Sequence, residues 1–253
     1  MKTLSPAAKD VIAKYLQLPM LGEPINAPYF NNARTIKRGG LAATIGKGSP
    51  EELALEVELT ARFQKFPLSL IDGAEIKKFL VTNNLGVDCS ALVFQVLKWE
   101  TWARGKGDFE KNLIFPNTHT WWRRFVASFR TIENTSVAVL GNEANSQIIT
   151  KAELNPGDVI IFWNTGLDHK LNHILLVTET HEQGLTYAHS FRWRTDGEFD
   201  HGVRTGTISW KNLGTSLLED TWTEKNKIGT DNETLQHAHE AERVELRRFR
   251  VLA

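Results

Sequence analysis

The spacing of hydrophobic positions changes along the chain. Before about residue 103, apolar side chains recur every three or four residues, which is typical of amphipathic helices. From residue 159 onward they form short continuous runs, such as Val159–Trp163 and His173–Thr178, which are typical of buried strands. Helices followed by strands predict an α+β fold with a mostly antiparallel sheet.

The helical part is divided by recognisable start signals. Ser49 is a favourable N-cap and Pro50 a favourable first helical residue, while Asp72 and Glu75 resemble a capping box. Residues 19–48 are rich in Pro, Gly and Asn and are predicted to form a long ordered loop. The predicted helices cover residues 5–18, 50–66, 72–81 and 89–102.

The strand part is predicted from its apolar runs and the turn residues between them. Predicted strands cover residues 159–163, 173–178, 185–191, 203–210 and 244–251, and a polar helix covers 231–243. Residues 104–150 are less regular. A helix around 121–129 and a strand near 137–140 are expected there, within an insertion whose course the pattern does not fix.

Composition limits the classes of function. Lys plus Arg and Asp plus Glu both number 30, so no net field attracts nucleic acid or an anionic membrane. The single cysteine excludes an internal disulfide and a Cys-x-x-Cys zinc site. The first twenty residues show no secretory signal and no run is long enough to span a membrane, so a cytoplasmic location is the default expectation, with unconventional export left open. Composition does not indicate an oligomeric state.

The cysteine lies where a loop gives way to an apolar helix. Gly86 and Asp88 favour a turn and a cap, and Leu92 and Val96 follow at helical spacing. Unpaired N–H groups and the helix dipole are expected to stabilise a thiolate in the first turn. Cys89 is therefore a candidate nucleophile, and a buried structural cysteine is the alternative.

Two histidines are placed to act on such a nucleophile. A reactive thiol needs a base, and the base needs a group that orients its ring. His173 begins one predicted strand and His189 lies near the end of the next, so a hairpin would bring them to the same end of the sheet. One imidazole would take the thiol proton while the other holds its tautomer. The alternative is that each histidine is a satisfied residue at a strand end.

Several segments together are similar to a known family. They are Asp88–Val93, Leu154–Phe162, Asn172–Val177, and Tyr187–Ser190 with Gly202-Val203 downstream. In this order they resemble the nucleophile motif, the following strand, the histidine strand and the third-residue segment of the NlpC-type cell-wall peptidases, which are papain-like cysteine hydrolases. The resemblance covers about residues 75 to 210.

The resemblance implies a role for each site residue. Cys89 would be the nucleophile, His173 the base and His189 the residue that orients the base. Asp88 and Ser90 would line the subsite for the amino end of a substrate peptide, since a carboxylate pairs with an ammonium group. A simple helix cap is an equal alternative for Asp88.

The chain departs from the family at three places. Ala91 replaces the usual glycine, Asn172 replaces the usual serine, and no tyrosine lies about a dozen residues before Cys89. Tyr29, in the preceding loop, is the candidate to reach the site instead.

The resemblance also implies the domain organisation and the activity. Residues 71–253 would form the papain-like domain with an insertion at about 104–150, and residues 1–70 would pack on it as an extension of one compact domain. The expected activity is hydrolysis of amide bonds in peptides, of murein type, through a Cys-His-His triad. The alternatives are an acyltransferase or deamidase with the same triad, and a non-catalytic papain-like binding module. No cofactor, metal, nucleic acid or membrane partner is expected.

Overall fold

The fold is α+β, with most helices before an antiparallel sheet. The computed structural model describes residues 1–19, 25–32, 41–68, 72–116, 131–224 and 232–253. The predicted order of helices and strands, and the mostly antiparallel sheet, are confirmed. The helix expected around 121–129 lies outside the described residues. Among the described residues, no helix is both long and apolar enough to cross a membrane.

The helices begin where their cap residues predict. Ser49 Oγ accepts the N–H of Glu52 at 3.2 Å while the Glu52 carboxylate accepts the N–H of Ser49 at 2.8 Å, and Asp72 caps the next helix. The helices are α1 (Pro6–Leu16), α2 (Pro50–Gln64), α3 (Gly73–Thr82), α4 (Cys89–Ala103), α5 (Phe109–Asn112), α6 (Thr131–Asn134), α7 (Val137–Leu140) and α8 (Glu233–Glu240).

One sheet contains all eight strands of the described residues, and most of them come from the second half of the chain. Its strands are β1 (Lys2–Thr3), β2 (Ser146–Ile148), β3 (Val159–Thr165), β4 (Leu171–His181), β5 (Gly184–Phe191), β6 (Gly202–Ser209), β7 (Thr221–Thr223) and β8 (Arg243–Phe249). Their order is β2-β8-β3-β4-β5-β6-β7, with β1 paired to the end of β4, and every pairing is antiparallel.

Three details differ from the sequence prediction. The strand expected near 137–140 is wrong: Val137–Leu140 is a helical turn whose N-cap, Ser136, accepts the N–H of Val139. The polar helix is shorter than expected, Glu233–Glu240. The edge strands β1, β2 and β7 are two or three residues long, too short to give a hydrophobic pattern.

The sheet separates two hydrophobic clusters. Ile174, Leu176 and Ala188 belong to the first cluster, which also contains the buried residues of α1 and α4. Leu175 and Tyr187 alternate with them and belong to the second cluster, on the other face. One face of the sheet therefore packs against α4. The N-terminal end of that helix lies near the start of β4.

The packing of α4 against the sheet predicts a large effect on stability. Leu92 on α4 is 0% exposed, whereas Leu55 on α2 is 58% exposed. Leu92→Ala should lower the free energy of unfolding by about 2–5 kcal/mol, because it leaves a cavity. The matched control Leu55→Ala should change it by less than about 0.5 kcal/mol. Urea unfolding of both variants measures the difference, and equal effects would contradict this packing.

Candidate active site

Cys89 is the first residue of α4, and Asp88 is its cap. Asp88 Oδ1 accepts the N–H of Ala91 at 2.7 Å and the hydroxyl of Ser90 at 2.8 Å. The cap predicted for Asp88 is therefore present. Cys89 is buried, with 6% of its surface exposed, and lines a cleft of about 480 Å³.

The loop before Cys89 is fastened to both halves of the fold. Val87 pairs with Tyr29, its N–H donating to the carbonyl of Pro28 at 2.9 Å. Ser190 Oγ on β5 donates to the carbonyl of Val87 at 2.6 Å. Gly86 permits the close approach of the Pro28 carbonyl, because a Cβ on residue 86 would lie only 2.4 Å from the Pro28 oxygen.

The same N-terminal segment also pairs with the sheet. The N–H of Val203 on β6 donates to the carbonyl of Ala27 at 2.9 Å, and Asn26 donates through its side chain to the carbonyl of Val203, also at 2.9 Å. Residues 26–30 thus connect the cysteine loop to β6.

The thiol is not electrostatically activated in this structure. Burial is the largest influence and the Asp88 carboxylate adds to it, and together they raise the pKa of the Cys89 thiol to about 12. Lys47 and the backbone N–H groups of Ile174 and Ser90 oppose the shift but do not overcome it. The helix start does favour the thiolate, through the N–H of Ser90, but burial outweighs it, so the thiol is protonated at neutral pH.

Two histidines and a glutamate form a buried hydrogen-bonded chain. His173 Nε2 lies 2.8 Å from His189 Nδ1, and His189 Nε2 lies 3.0 Å from Glu224 Oε1. An ionised carboxylate only accepts, so a neutral His189 would carry its proton on Nε2 and accept on Nδ1. Neutral His173 then carries its proton on Nε2, which leaves its Nδ1 with a free lone pair.

The predicted hairpin brings the two histidines together. β4 and β5 pair antiparallel, with Leu176 opposite Ala188, and the rings of His173 and His189 lie 5.0 Å apart between centroids. Burial, followed by the neighbouring His189 and His237, holds the pKa of His173 well below its usual value. His173 is therefore a neutral imidazole at physiological pH.

The cysteine reaches the same end of β4 but does not bond the imidazole. The N–H of Ile174, the residue after His173, interacts with the Cys89 sulfur. The His173 ring packs against Phe162 and Phe191, with centroid distances of 5.9 and 4.3 Å. In the described part of the chain, no hydrogen bond joins the Cys89 sulfur to that ring. Hydrogen bonds of this kind often tighten only when substrate binds.

Glu224 is one site residue that the sequence does not reveal. It follows the short strand β7 and is almost fully buried, and it also accepts the Tyr187 hydroxyl at 2.5 Å. Burial opposes its ionisation, but His189 and Tyr187 outweigh burial and lower the pKa of the carboxyl. No motif surrounds Glu224, and only its spatial partners show its place in the chain of hydrogen bonds.

Asp88 and Ser90 have a partner inside the protein. Lys47, which sequence reasoning also missed, forms an ion pair with Asp88 Oδ2 at 2.6 Å and donates to Ser90 Oγ at 2.8 Å. The subsite expected to bind a substrate ammonium therefore already contains one.

Tyr29 contacts Phe191, a neighbour of the histidine pair. Its ring meets Phe191 edge-on at 6.3 Å, and Phe191 in turn contacts His173. Its N–H donates to His201 Nδ1 at 3.1 Å, and its hydroxyl accepts from Asn31, which lines the cleft, at 3.4 Å. Tyr29 thus reaches the neighbourhood of the site through Phe191.

Part of the predicted insertion forms one wall of the cleft. Residues 133–138, from the end of α6 into α7, face the cleft together with Asn172 at the start of β4. Asn31, Ile45 and Lys47 also line the cleft. The insertion thus contributes directly to the space above Cys89.

The chain matches no protein-family model, and no curated protein and no solved structure is significantly similar to it.

The raised thiol pKa predicts slow alkylation. Cys89 is the only cysteine, so iodoacetamide incorporation measured by intact mass reports on it alone. With a pKa of about 12, the thiolate is a negligible fraction at pH 7–8, and alkylation should be at least about tenfold slower than that of an unfolded thiol with a pKa of about 8.5. The rate should still be rising at pH 10. The urea-unfolded protein is the control, and a folded-state plateau below pH 8 would contradict the burial argument.

Proposed function

We propose that this chain is a cysteine hydrolase of papain-like architecture that cleaves an amide bond in a peptide through an acyl-enzyme. The observation that carries the proposal is the buried hydrogen-bonded chain from His173 through His189 to Glu224. It begins one residue before Ile174, whose N–H interacts with the sulfur of Cys89 at the start of α4. A nucleophile, a base and a group that orients the base are the parts that such catalysis needs.

The chemistry begins from a neutral pair. Because the thiol pKa is raised and the His173 pKa is lowered, the resting state is a thiol and an imidazole rather than an ion pair. His173 Nδ1 would take the proton of the thiol as sulfur attacks the substrate carbonyl carbon. The bound substrate must bring the sulfur and Nδ1 together, since no hydrogen bond joins them beforehand in the described residues.

The remaining steps return the proton and release the acyl group. The imidazolium of His173 protonates the leaving amine as the carbon–nitrogen bond breaks, which leaves a thioester on Cys89. Water then gives a proton to His173 as its oxygen attacks the thioester carbon. The carbon–sulfur bond breaks, the carboxylic acid leaves, and His173 returns the proton to the sulfur. Backbone N–H groups at the start of α4, including that of Cys89, would stabilise the oxyanion.

The substrate class follows from the resemblance to NlpC-type peptidases. A murein-type peptide presents amide bonds of the kind that these enzymes cleave. The cleft volume of about 480 Å³ falls within the usual range of roughly 300–1,000 Å³ for small-ligand sites. The cleft is large enough for a short peptide segment.

A non-catalytic binding module is a second candidate, and one observation favours it. The thiol is buried with a raised pKa and makes no hydrogen bond to His173 among the described residues, as expected for a cysteine that does no chemistry. The buried Glu224 beside His189 argues the other way, since a binding cleft does not need an imidazole with a fixed tautomer.

Incubation with a mixture of murein-type peptides, followed by mass spectrometry, tests the proposal. Wild-type protein should produce hydrolysis products, and Cys89→Ala should produce none. Products joined to an added amine would identify an acyltransferase. Peptide binding that is equal in both proteins, without turnover in either, would identify the binding module.

A further inference from the structure

An ammonium group already fills the acceptor site beside Cys89. Lys47 Nζ lies 2.6 Å from Asp88 Oδ2, 2.8 Å from Ser90 Oγ and 2.7 Å from the carbonyl oxygen of Thr135. An ammonium has three N–H donors, so each of these contacts uses one of them. The site has the composition of an ammonium receptor, and Lys47 saturates it.

The ion pair between Lys47 and Asp88 is buried and held in place by the surrounding backbone. Lys47 and Asp88 are only 7% and 6% exposed. The backbone of Lys47 is also fixed, because its N–H donates to Ala42 and its carbonyl accepts from Gln95 Nε2 at 3.2 Å. A buried ion pair that loses one partner leaves an uncompensated charge, so Lys47 is not readily displaced.

The same groups line the cleft that contains the thiol. Lys47, Asp88, Ser90 and Thr135 all contribute to the cleft walls around Cys89. A substrate ammonium that entered here would meet a carboxylate that is already neutralised. It would also be repelled by the Lys47 ammonium at short range.

We propose that Lys47 determines the specificity of this cleft by occupying the place of a substrate amino end. The cleft then selects acyl groups that carry no free ammonium next to Asp88, namely N-acylated peptides or segments inside a longer peptide. The selection of substrates rests on the hydrolase function proposed above, whereas the occupation of the ammonium site by Lys47 does not.

Chemical rescue tests the occupation directly. Lys47→Ala removes the propylammonium portion of the side chain, so n-propylammonium should bind the vacated site and raise the Tm of the variant in a saturable way. It should not raise the Tm of the wild type or of Lys47→Ala/Asp88→Asn, and isosteric 1-propanol should not replace it. If Lys47→Ala does not fold alone, its refolding yield with and without n-propylammonium is the readout. An effect no larger than that of 1-propanol, or equal in the wild type, would overturn the occupation.

Matched affinity labels test the selection. Two dipeptidyl chloromethyl ketones that differ only in a free or an acetylated amino end would be compared for labelling of Cys89 by intact mass. In the wild type and in Lys47→Arg, the acetylated label should react at least about tenfold faster, which corresponds to about 1.4 kcal/mol. Lys47→Ala should reverse the order.

The outcomes separate the two proposals. A wild-type protein that reacts equally well or better with the free amine would overturn the selection. If neither compound labels Cys89 but n-propylammonium rescues Lys47→Ala, the hydrolase proposal fails and the role of Lys47 as internal ammonium stands.

Discussion

Cys89→Ala is expected to lower kcat/KM for peptide hydrolysis by at least about 10⁴-fold, because it removes the atom that would form the acyl-enzyme. The thiol contributes little to folding, since it is small and its interactions with the backbone N–H groups of Ile174 and Ser90 are weak. The Tm should therefore change by only a few degrees. Steady-state hydrolysis of the identified peptide, together with a thermal scan, measures both quantities.

His173→Ala provides the matched comparison. If His173 is the base for Cys89, its removal should lower kcat/KM by a similar factor. The double variant should then have a kcat/KM no lower than that of either single variant. Multiplicative losses would show that the two residues act independently. Turnover that survives in Cys89→Ala would rule out the proposed mechanism altogether.

Glu224→Gln is expected to lower kcat by about 10²-fold or more with little change in KM, because it removes the charge that fixes the His189 tautomer and supports a developing imidazolium. The effect is transmitted through His189, since Glu224 bonds to His189 and is not among the described residues that line the cleft. Glu224 is thus a positioning residue rather than a catalytic one.

The pH profile distinguishes this role from a structural one. The lowered pKa of His173 places the acidic limb of kcat/KM below pH 6.5 in the wild type. Loss of the Glu224 carboxylate removes a negative charge that would stabilise the imidazolium of His173, so the limb should move to still lower pH. Nitrogen chemical shifts of His189 should report a changed tautomer.

Tyr187→Phe is the control for Glu224→Gln. It removes the hydrogen bond from the Tyr187 hydroxyl to Glu224 but keeps the carboxylate beside His189. Its kcat should stay within about tenfold of the wild type. Unchanged kcat and unchanged His189 shifts in Glu224→Gln would contradict the positioning role.

Local features of the sequence predict much of the fold. Ser49 and Asp72 mark helix starts because a cap acts within three residues. The β4–β5 hairpin is predictable because its apolar runs flank the Gly184 turn, and it brings His173 to His189. Val137–Leu140 is a counterexample, because four consecutive apolar residues suit a helical turn as well as a strand.

The electrostatics of the site depend on distant partners. Lys47 is 43 residues from Ser90, and Glu224 is 35 residues from His189, so no spacing rule connects them. The thiol pKa was predicted from the helix start alone, but burial outweighs the helix dipole. The degree of burial becomes known only once the surrounding elements are placed.

The connection of residues 26–30 to both Val87 and Val203 has a practical consequence. A shortened protein that starts at residue 71 would keep Cys89, His173, His189 and Glu224 but lose Lys47 and the strand-like support of the cysteine loop. Any minimal version made for crystallisation, display or fusion should therefore retain the N-terminal segment.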